Sequence, residues 1–171
     1  MKIIRYLFIF FFAISAYGCG YHTLGKGDNP ALSGINSLAI PVFKNDTYRP
    51  DVESVITTAI VDEFVNIFDV ADSGRADAVL YGTVIAYELT PVSYSSKAVI
   101  REYRLTIVIS IKVLRKSDGV VLWEDKNIRD YEDFTVDTDA LMATKDAERS
   151  ALVKISSDTA RLVREHMLEG F

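Results

Sequence analysis

Hydrophobic positions along the chain change their period several times, and each change marks an element. From Arg101 to Leu114 the alternation is strict. Tyr103, Leu105, Ile107, Ile109, Ile111 and Val113 share one parity, whereas Arg104, Thr106, Ser110 and Lys112 take the other. A period of two with one apolar side predicts a strand of an antiparallel sheet covered on a single face. Ala78 to Thr90 also has strand composition, with Val79, Tyr81, Ile85, Tyr87 and Leu89 on one parity. Ser117-Asp118-Gly119 is a tight-turn signal that leads through Val120-Val121-Leu122-Trp123 into a return strand reaching toward Tyr131. These three segments predict a meander.

Elsewhere the period is helical. Val52, Val55, Ile56, Ala59, Ile60, Phe64, Ile67 and Phe68 recur at spacings of three and four, which gives a helix one buried stripe. Pro50 suits its first turn, and Asp51 and Glu53 suit the partial positive charge of its N-terminus. A second, longer helix is predicted after the capping cluster Asp137-Thr138-Asp139, with Leu141, Ala147, Ala151, Leu152, Ile155, Thr159, Leu162, Val163 and Met167 on its apolar side and Gly170 as its stop. Ser37 to Phe43 reads as a further strand. Pro41 has no amide hydrogen, so an edge position or a bulge is expected there. The order β-α-β-β-β-α predicts an α+β two-layer sandwich, with two helices on one face of a four-stranded, largely antiparallel sheet.

The N-terminus has a different pattern. Lys2 and Arg5 precede an unbroken apolar run, Tyr6 to Ile14, followed by Ser15-Ala16-Tyr17-Gly18 and the single cysteine, Cys19. The run is too short to span a bilayer, which takes roughly 20 residues, and it reads as an export signal. A lone cysteine after a small residue at this point resembles the bacterial lipobox, in which the cysteine is acylated and becomes the mature N-terminus. Ala16 and Tyr17 depart from the favoured pattern. The resemblance implies a lipid-anchored protein with palmitate-type acylation at Cys19. By similarity to the enterobacterial sorting rule, Gly20 in place of Asp implies the outer membrane. The expected organisation is a signal peptide over 1–18, a flexible tether over 19–34 rich in Gly, Asp, Asn and Pro, and one domain over 35–171.

Charge narrows the function classes. Removing residues 1–18 leaves 17 basic against 24 acidic residues, a net of −7, which disfavours a general nucleic-acid binder. The charge is unevenly spread. Lys97, Arg101, Arg104, Lys112, Arg115 and Lys116 fall between 97 and 116, and an acidic stretch runs from Glu124 to Asp139. Such asymmetry fits either an interaction surface or solvated strand faces. Catalytic candidates are sparse. The two histidines are His22 in the tether and His166 near the C-terminus, and no second cysteine exists for a disulfide. Neither a phosphate-binding glycine loop nor zinc-site spacing appears, and the acidic stretch lacks the offsets and central glycine of a calcium loop. No enzyme, cofactor or metal is expected.

Several strings are more specific in combination. They are Cys19-Gly20-Tyr21-His22, Ile40-Pro41-Val42-Phe43-Lys44-Asn45-Asp46-Thr47, Ala76-Asp77-Ala78-Val79-Leu80-Tyr81-Gly82-Thr83-Val84, Tyr87-Glu88-Leu89-Thr90-Pro91, Glu102-Tyr103-Arg104-Leu105 and Val120-Val121-Leu122-Trp123-Glu124. In this order behind a lipobox they resemble the LptE family of lipopolysaccharide-assembly lipoproteins. The resemblance implies a non-enzymatic partner of the LptD β-barrel that sits within its lumen and helps lipopolysaccharide reach the outer leaflet. Lipopolysaccharide carries phosphates and acidic sugars, so Lys97, Arg101 and Arg104, at one end of the long strand, become the candidate anion contacts. An envelope adaptor of another system is the alternative, and a hydrolase using His166 a more remote one.

Overall fold

The computed structural model describes residues 29–96, 99–137 and 140–169. The sheet is larger and less antiparallel than the pattern predicts. Its strands are β1 (Ser37–Ala39), β2 (Lys44–Asn45), β3 (Asp69–Val70), β4 (Ala78–Tyr94), β5 (Ile100–Arg115) and β6 (Val121–Thr135). The helices are α1 (Val52–Phe64) and α2 (Leu141–Glu169), and a single 3-10 turn covers Pro30–Leu32. Strand order is β3-β1-β4-β5-β6, with β2 also paired to β4, which makes a six-stranded sheet. β3, β1 and β2 are parallel to their neighbours, and only β4-β5-β6 is the antiparallel meander. The four-stranded expectation is thus corrected to a mixed sheet of six, while the α+β class and the two helices hold.

The extra strands arise where the chain is too short to show a period. At Ile40–Phe43 the chain leaves the ladder, because Pro41 offers no amide hydrogen, and it rejoins β4 as β2. β1 itself is an internal strand between β3 and β4, not an edge. The Phe43 amide, out of the ladder, donates to Thr57 Oγ1 at 3.0 Å. The Phe43 ring lies over Gly82, where a Cβ would stand 2.2 Å from ring carbon. That glycine is needed for close approach.

Parity along β4 also differs from the expectation. Ala78, Leu80 and Val84 face the core with Gly82 between them; a bulge at Val84/Ala86 then shifts the register, and Tyr87 and Leu89 take over the same face. Tyr81 and Ile85, expected inside, are exposed. One extra residue reverses every side chain beyond it. β5 follows its sequence pattern: Leu105, Ile107, Ile109, Ile111 and Val113 are fully buried. They share one core with Ile56, Ile60 and Phe64 of α1 and Ile155, Val163 and Met167 of α2, so both helices cover the same face.

α2 packs from Ala147 onward; Leu141 and Met142 in its first turn are exposed, so the apolar side begins later than Leu141. The end of the expected tether is also packed. Asn29 donates from Nδ2 to the Met167 carbonyl at 2.8 Å and from its amide to the Leu168 carbonyl at 3.1 Å, satisfying two C-terminal carbonyls of α2. Leu32 and Ile35 are buried beside it. The signal peptide, Cys19, His22 and the tether to residue 28 lie outside the described residues.

Candidate functional site: the hairpin end and the open sheet face

At about 3.3 Å per residue, the 16 residues of β5 separate its two ends by roughly 50 Å. The end nearest the chain's entry carries Asn29, the last turn of α2 and the β5–β6 turn. There Arg115 pairs with Asp118 at 3.0 Å, Asp118 Oδ1 accepts the Val120 amide, and Gly119 takes φ 71°. Lys116 Nζ donates to the Gly74 carbonyl. A shallow groove of about 530 Å³ lies here between Gly34, Ala76, Asp77 and Lys116. Its two cations already have partners within the chain.

The opposite end is the β4–β5 hairpin. Of the three candidate anion contacts, Lys97 lies outside the described residues. Arg101 is exposed and pairs with no carboxylate among the described residues; its carbonyl accepts the Val136 amide at 2.9 Å, which fixes its backbone. Arg104 has a different environment. Its Nε and Nη2 donate to the two carboxylate oxygens of Asp133, each at 2.8 Å, and its guanidinium lies 4.1 Å from the centre of the Tyr131 ring. That hydrogen bond holds the Asp133 carboxyl below the usual carboxylate range and raises the arginine. Pro91 and Tyr94 belong to β4, where bulges at Pro91/Ser93 and Ser93/Tyr94 accommodate the missing amide. Tyr94 is exposed at the tip with Val92 and Val99.

The open face joins these ends. Cross-strand rows place Tyr81 beside Lys112 and Glu124, Thr83 beside Ser110, Ala86 beside Val108 and Arg129, and Thr90 beside Arg104 and Asp133. Cations, carboxylates and tyrosines alternate over it with no helix above. The acidic stretch of β6 is divided between the two faces, and the register shift opposite Ile109/Ile111 reverses which parity points outward. Asp133 and Glu124 look outward, whereas Asp130 accepts from Thr159 Oγ1 at 3.3 Å and Glu132 pairs with Lys154 of α2. His166 sits 3.5 Å from Asp125, half-exposed, in the same row of contacts between α2 and β6. It is a helix-docking residue.

One group of polar residues was missed in the sequence reading. Glu148 of α2 accepts from the Tyr87 hydroxyl at 2.7 Å and pairs with Arg49 at 3.0 Å, and Arg49 lies 5.6 Å from the Tyr87 ring. Its members are separated by up to a hundred positions, so no local pattern marks them. Among the described residues no group of His, Cys, Asp or Glu could hold a metal ion, and no helix is long and apolar enough to cross a membrane.

Comparison with known proteins follows the same line. A family model described as lipopolysaccharide-assembly matches residues 35–167. The chain belongs to the LptE family. LptE proteins are non-enzymatic outer-membrane lipoproteins of lipopolysaccharide assembly, so the catalytic alternatives lapse. A search of curated proteins finds no match. Similar solved structures include a lipoprotein of Caulobacter crescentus at 10% identity and TM-score 0.54, covering 74% of this chain and 88% of that one. The rare lipoprotein B of Shewanella oneidensis matches at 14% and 0.52, covering 77% of this chain and 93% of its own. Lipoprotein B of Nitrosomonas europaea matches at 14% and 0.51, covering 78% and 83%. At these identities the likeness establishes a shared LptE-like fold.

Proposed function

We propose that this chain is the lipid-anchored partner of an LptD-type β-barrel, held by acylated Cys19 at the periplasmic side of the outer membrane and seated partly within the barrel lumen. The family membership over residues 35–167 is the observation that carries this reading. The open sheet face supports it, because its alternating cations, carboxylates and tyrosines suit the polar interior of a large barrel. In that position the hairpin end meets lipopolysaccharide through Lys97, Arg101 and Arg104. Arg101 has its full charge to offer, and Arg104 offers what Asp133 leaves.

The deciding experiment tags the C-terminus, solubilises the native outer membrane in mild detergent and identifies what co-purifies. A large β-barrel recovered one-to-one is the expected result. A cell-wall synthase or a secretion component in its place would overturn the proposal and move the chain to an adaptor role. Replacing Cys19 by Ser should abolish labelled-palmitate incorporation and release the chain from membranes. Replacing Lys97, Arg101 and Arg104 together by Glu should weaken lipopolysaccharide binding and flatten its salt dependence; unchanged binding removes the hairpin end from the site.

A further inference from the structure

Of the buried polar side chains among the described residues, only Asn29 lies outside a helix. Each of its polar groups is bonded. The amide and Nδ2 donate to the Leu168 and Met167 carbonyls, at 3.1 and 2.8 Å. Oδ1 accepts the Ala31 amide at 3.0 Å, and the carbonyl accepts the Leu32 amide at 3.1 Å. The turn that follows is closed by bonds from Ser33 to Pro30 and from Ile35 to Leu32, and it buries Leu32 and Ile35. Gly34, at φ 83°, then reverses the chain. From Asn36 onward the backbone is held separately, because Asp77 Oδ2 accepts the Asn36 and Ser37 amides, each at 2.9 Å. Residues 29–35 thus form a distinct strap with a glycine near its inner end.

The strap and α2 depend on each other. The last carbonyls of a helix have no partner within it. Met167 and Leu168 are buried, at 0% and 7% exposure, so water replaces the Asn29 bonds poorly. Opening the strap alone strands two carbonyls, and fraying the last turn alone strands two donors of Asn29. Both losses are avoided only when the two segments open together. Beyond Asn29, the strap is held by two apolar side chains, far fewer than β5 buries. Segments with so little buried surface open well below the free energy of global unfolding.

We propose that residues 29–35 are a releasable strap that opens as one unit with the last turn of α2, and that its state sets how far the domain can stand from the membrane. The second half rests on the reading of Cys19 as the lipid anchor. Ten residues, 19–28, carry the chain from Cys19 to the strap, roughly 35 Å when fully extended. Release of residues 29–35 adds up to about 25 Å. Asn29 is the latch of this length switch.

Hydrogen exchange of the full acylated chain in detergent tests the first half. Peptides over the strap and over the last turn of α2 should show the same opening constant within about threefold, and both should exchange faster than β5. Asn29→Ala should speed exchange in both segments about tenfold and leave β5 unchanged. Asn29→Asp should do at least as much, because a carboxylate cannot donate and faces the negative end of α2. Faster exchange in only one segment would overturn the coupling. If either variant unfolds the domain, β5 exchange rises too, and the match between the two segments in the unaltered chain still decides. The second half is read on vesicles of phosphatidylethanolamine and phosphatidylglycerol, by energy transfer from a dye on the Ser117→Cys variant to a headgroup acceptor. Ser117 is exposed in the β5–β6 turn, at the strap's end of the domain. Adding Asn29→Ala should lower the transfer. Unchanged transfer, with both segments exchanging faster, would overturn the length switch. An unaltered chain that fails to bind the vesicles would defeat the anchor reading and the length switch with it, and the exchange result would still decide the coupling.

Discussion

Two arginine–carboxylate–tyrosine clusters sit on opposite faces of one sheet. On the covered face Glu148 takes the Tyr87 hydroxyl at 2.7 Å and Arg49 at 3.0 Å; on the open face Asp133 takes both donors of Arg104 at 2.8 Å, over the Tyr131 ring. Chemistry and distances are nearly the same, and the surroundings are not. The two arginines are equally exposed, Arg49 at 41% and Arg104 at 40%, so the difference lies in the carboxylates: Glu148 is 12% exposed and Asp133 43%. Water screens the open pair and competes for every donor in it, so the pair orders a surface without holding the fold together. The covered cluster has little water to fall back on, and it links a loop, a strand and a helix that are distant in sequence. Burial pushes the Tyr87 hydroxyl well above its ordinary range, and the bond to Glu148 adds to that rise. Location decides whether a polar contact is structural or available.

The contrast between faces is widest at two adjacent residues. Gly82→Ala puts a Cβ against the buried Phe43 ring, which is wedged between β4 and α1, and should cost about 3 kcal/mol or more. Thr83→Ala, one residue along on the open face, should cost under about 1 kcal/mol in the same denaturant titration. Equal losses would mean that the open face is packed in the isolated chain.

Next in size are the clusters themselves. Glu148→Ala leaves the Tyr87 hydroxyl and Arg49 without their acceptor in a half-buried site, which predicts a loss of about 2 kcal/mol. Asp133→Ala, at an exposed pair, should fall within the scatter of the measurement. Similar penalties for both would show that burial is not what separates them.

How much of this was legible follows from segment length. β5 shows its parity over 16 residues, long enough for a period to emerge, and its buried face is as the alternation implies. β2 and β3 have two residues each, and no period can be read from two positions. β2 exists because β4 offers it a ladder, and β3 because α1 returns the chain beside β1. The bulge at Val84/Ala86 defeated the parity assignment for Tyr81 and Ile85 by inserting one residue that composition does not mark. For the site, the charge asymmetry was visible, but its pairing was not. The basic and acidic stretches meet as neighbouring strands, so Asp133 faces Arg104 across a ladder rung 29 positions away. The Glu148 cluster required tertiary contacts from the start.

A smaller effect separates the clusters by pH. The folded Tyr87 pKa is raised above its unfolded value, so its contribution is complete below about pH 10 and is lost as pH rises beyond that. Stability of the unaltered chain should therefore fall more steeply in alkali than that of Tyr87→Phe. Matching alkaline slopes would mean that the hydroxyl has no special environment. Asp133 has the opposite sign. Its depressed pKa contributes above the unfolded carboxylate value and disappears as pH falls through the acid range.

The subtlest prediction concerns what the open pair withholds. Asp133 occupies two donors of Arg104 and neutralises its charge, so among the three candidate anion contacts Arg104 contributes least while its partner is in place. Removing that partner by Asp133→Ala should release the guanidinium toward solvent and tighten lipopolysaccharide binding a few-fold, with a steeper salt dependence. Arg101→Gln should weaken binding more than Arg104→Gln, because Arg101 has no carboxylate of its own among the described residues. Isothermal titration at two ionic strengths separates these outcomes. Weaker binding in Asp133→Ala would mean that the carboxylate positions Arg104 for its ligand, and the open cluster would then be a built site in the same sense as the covered one.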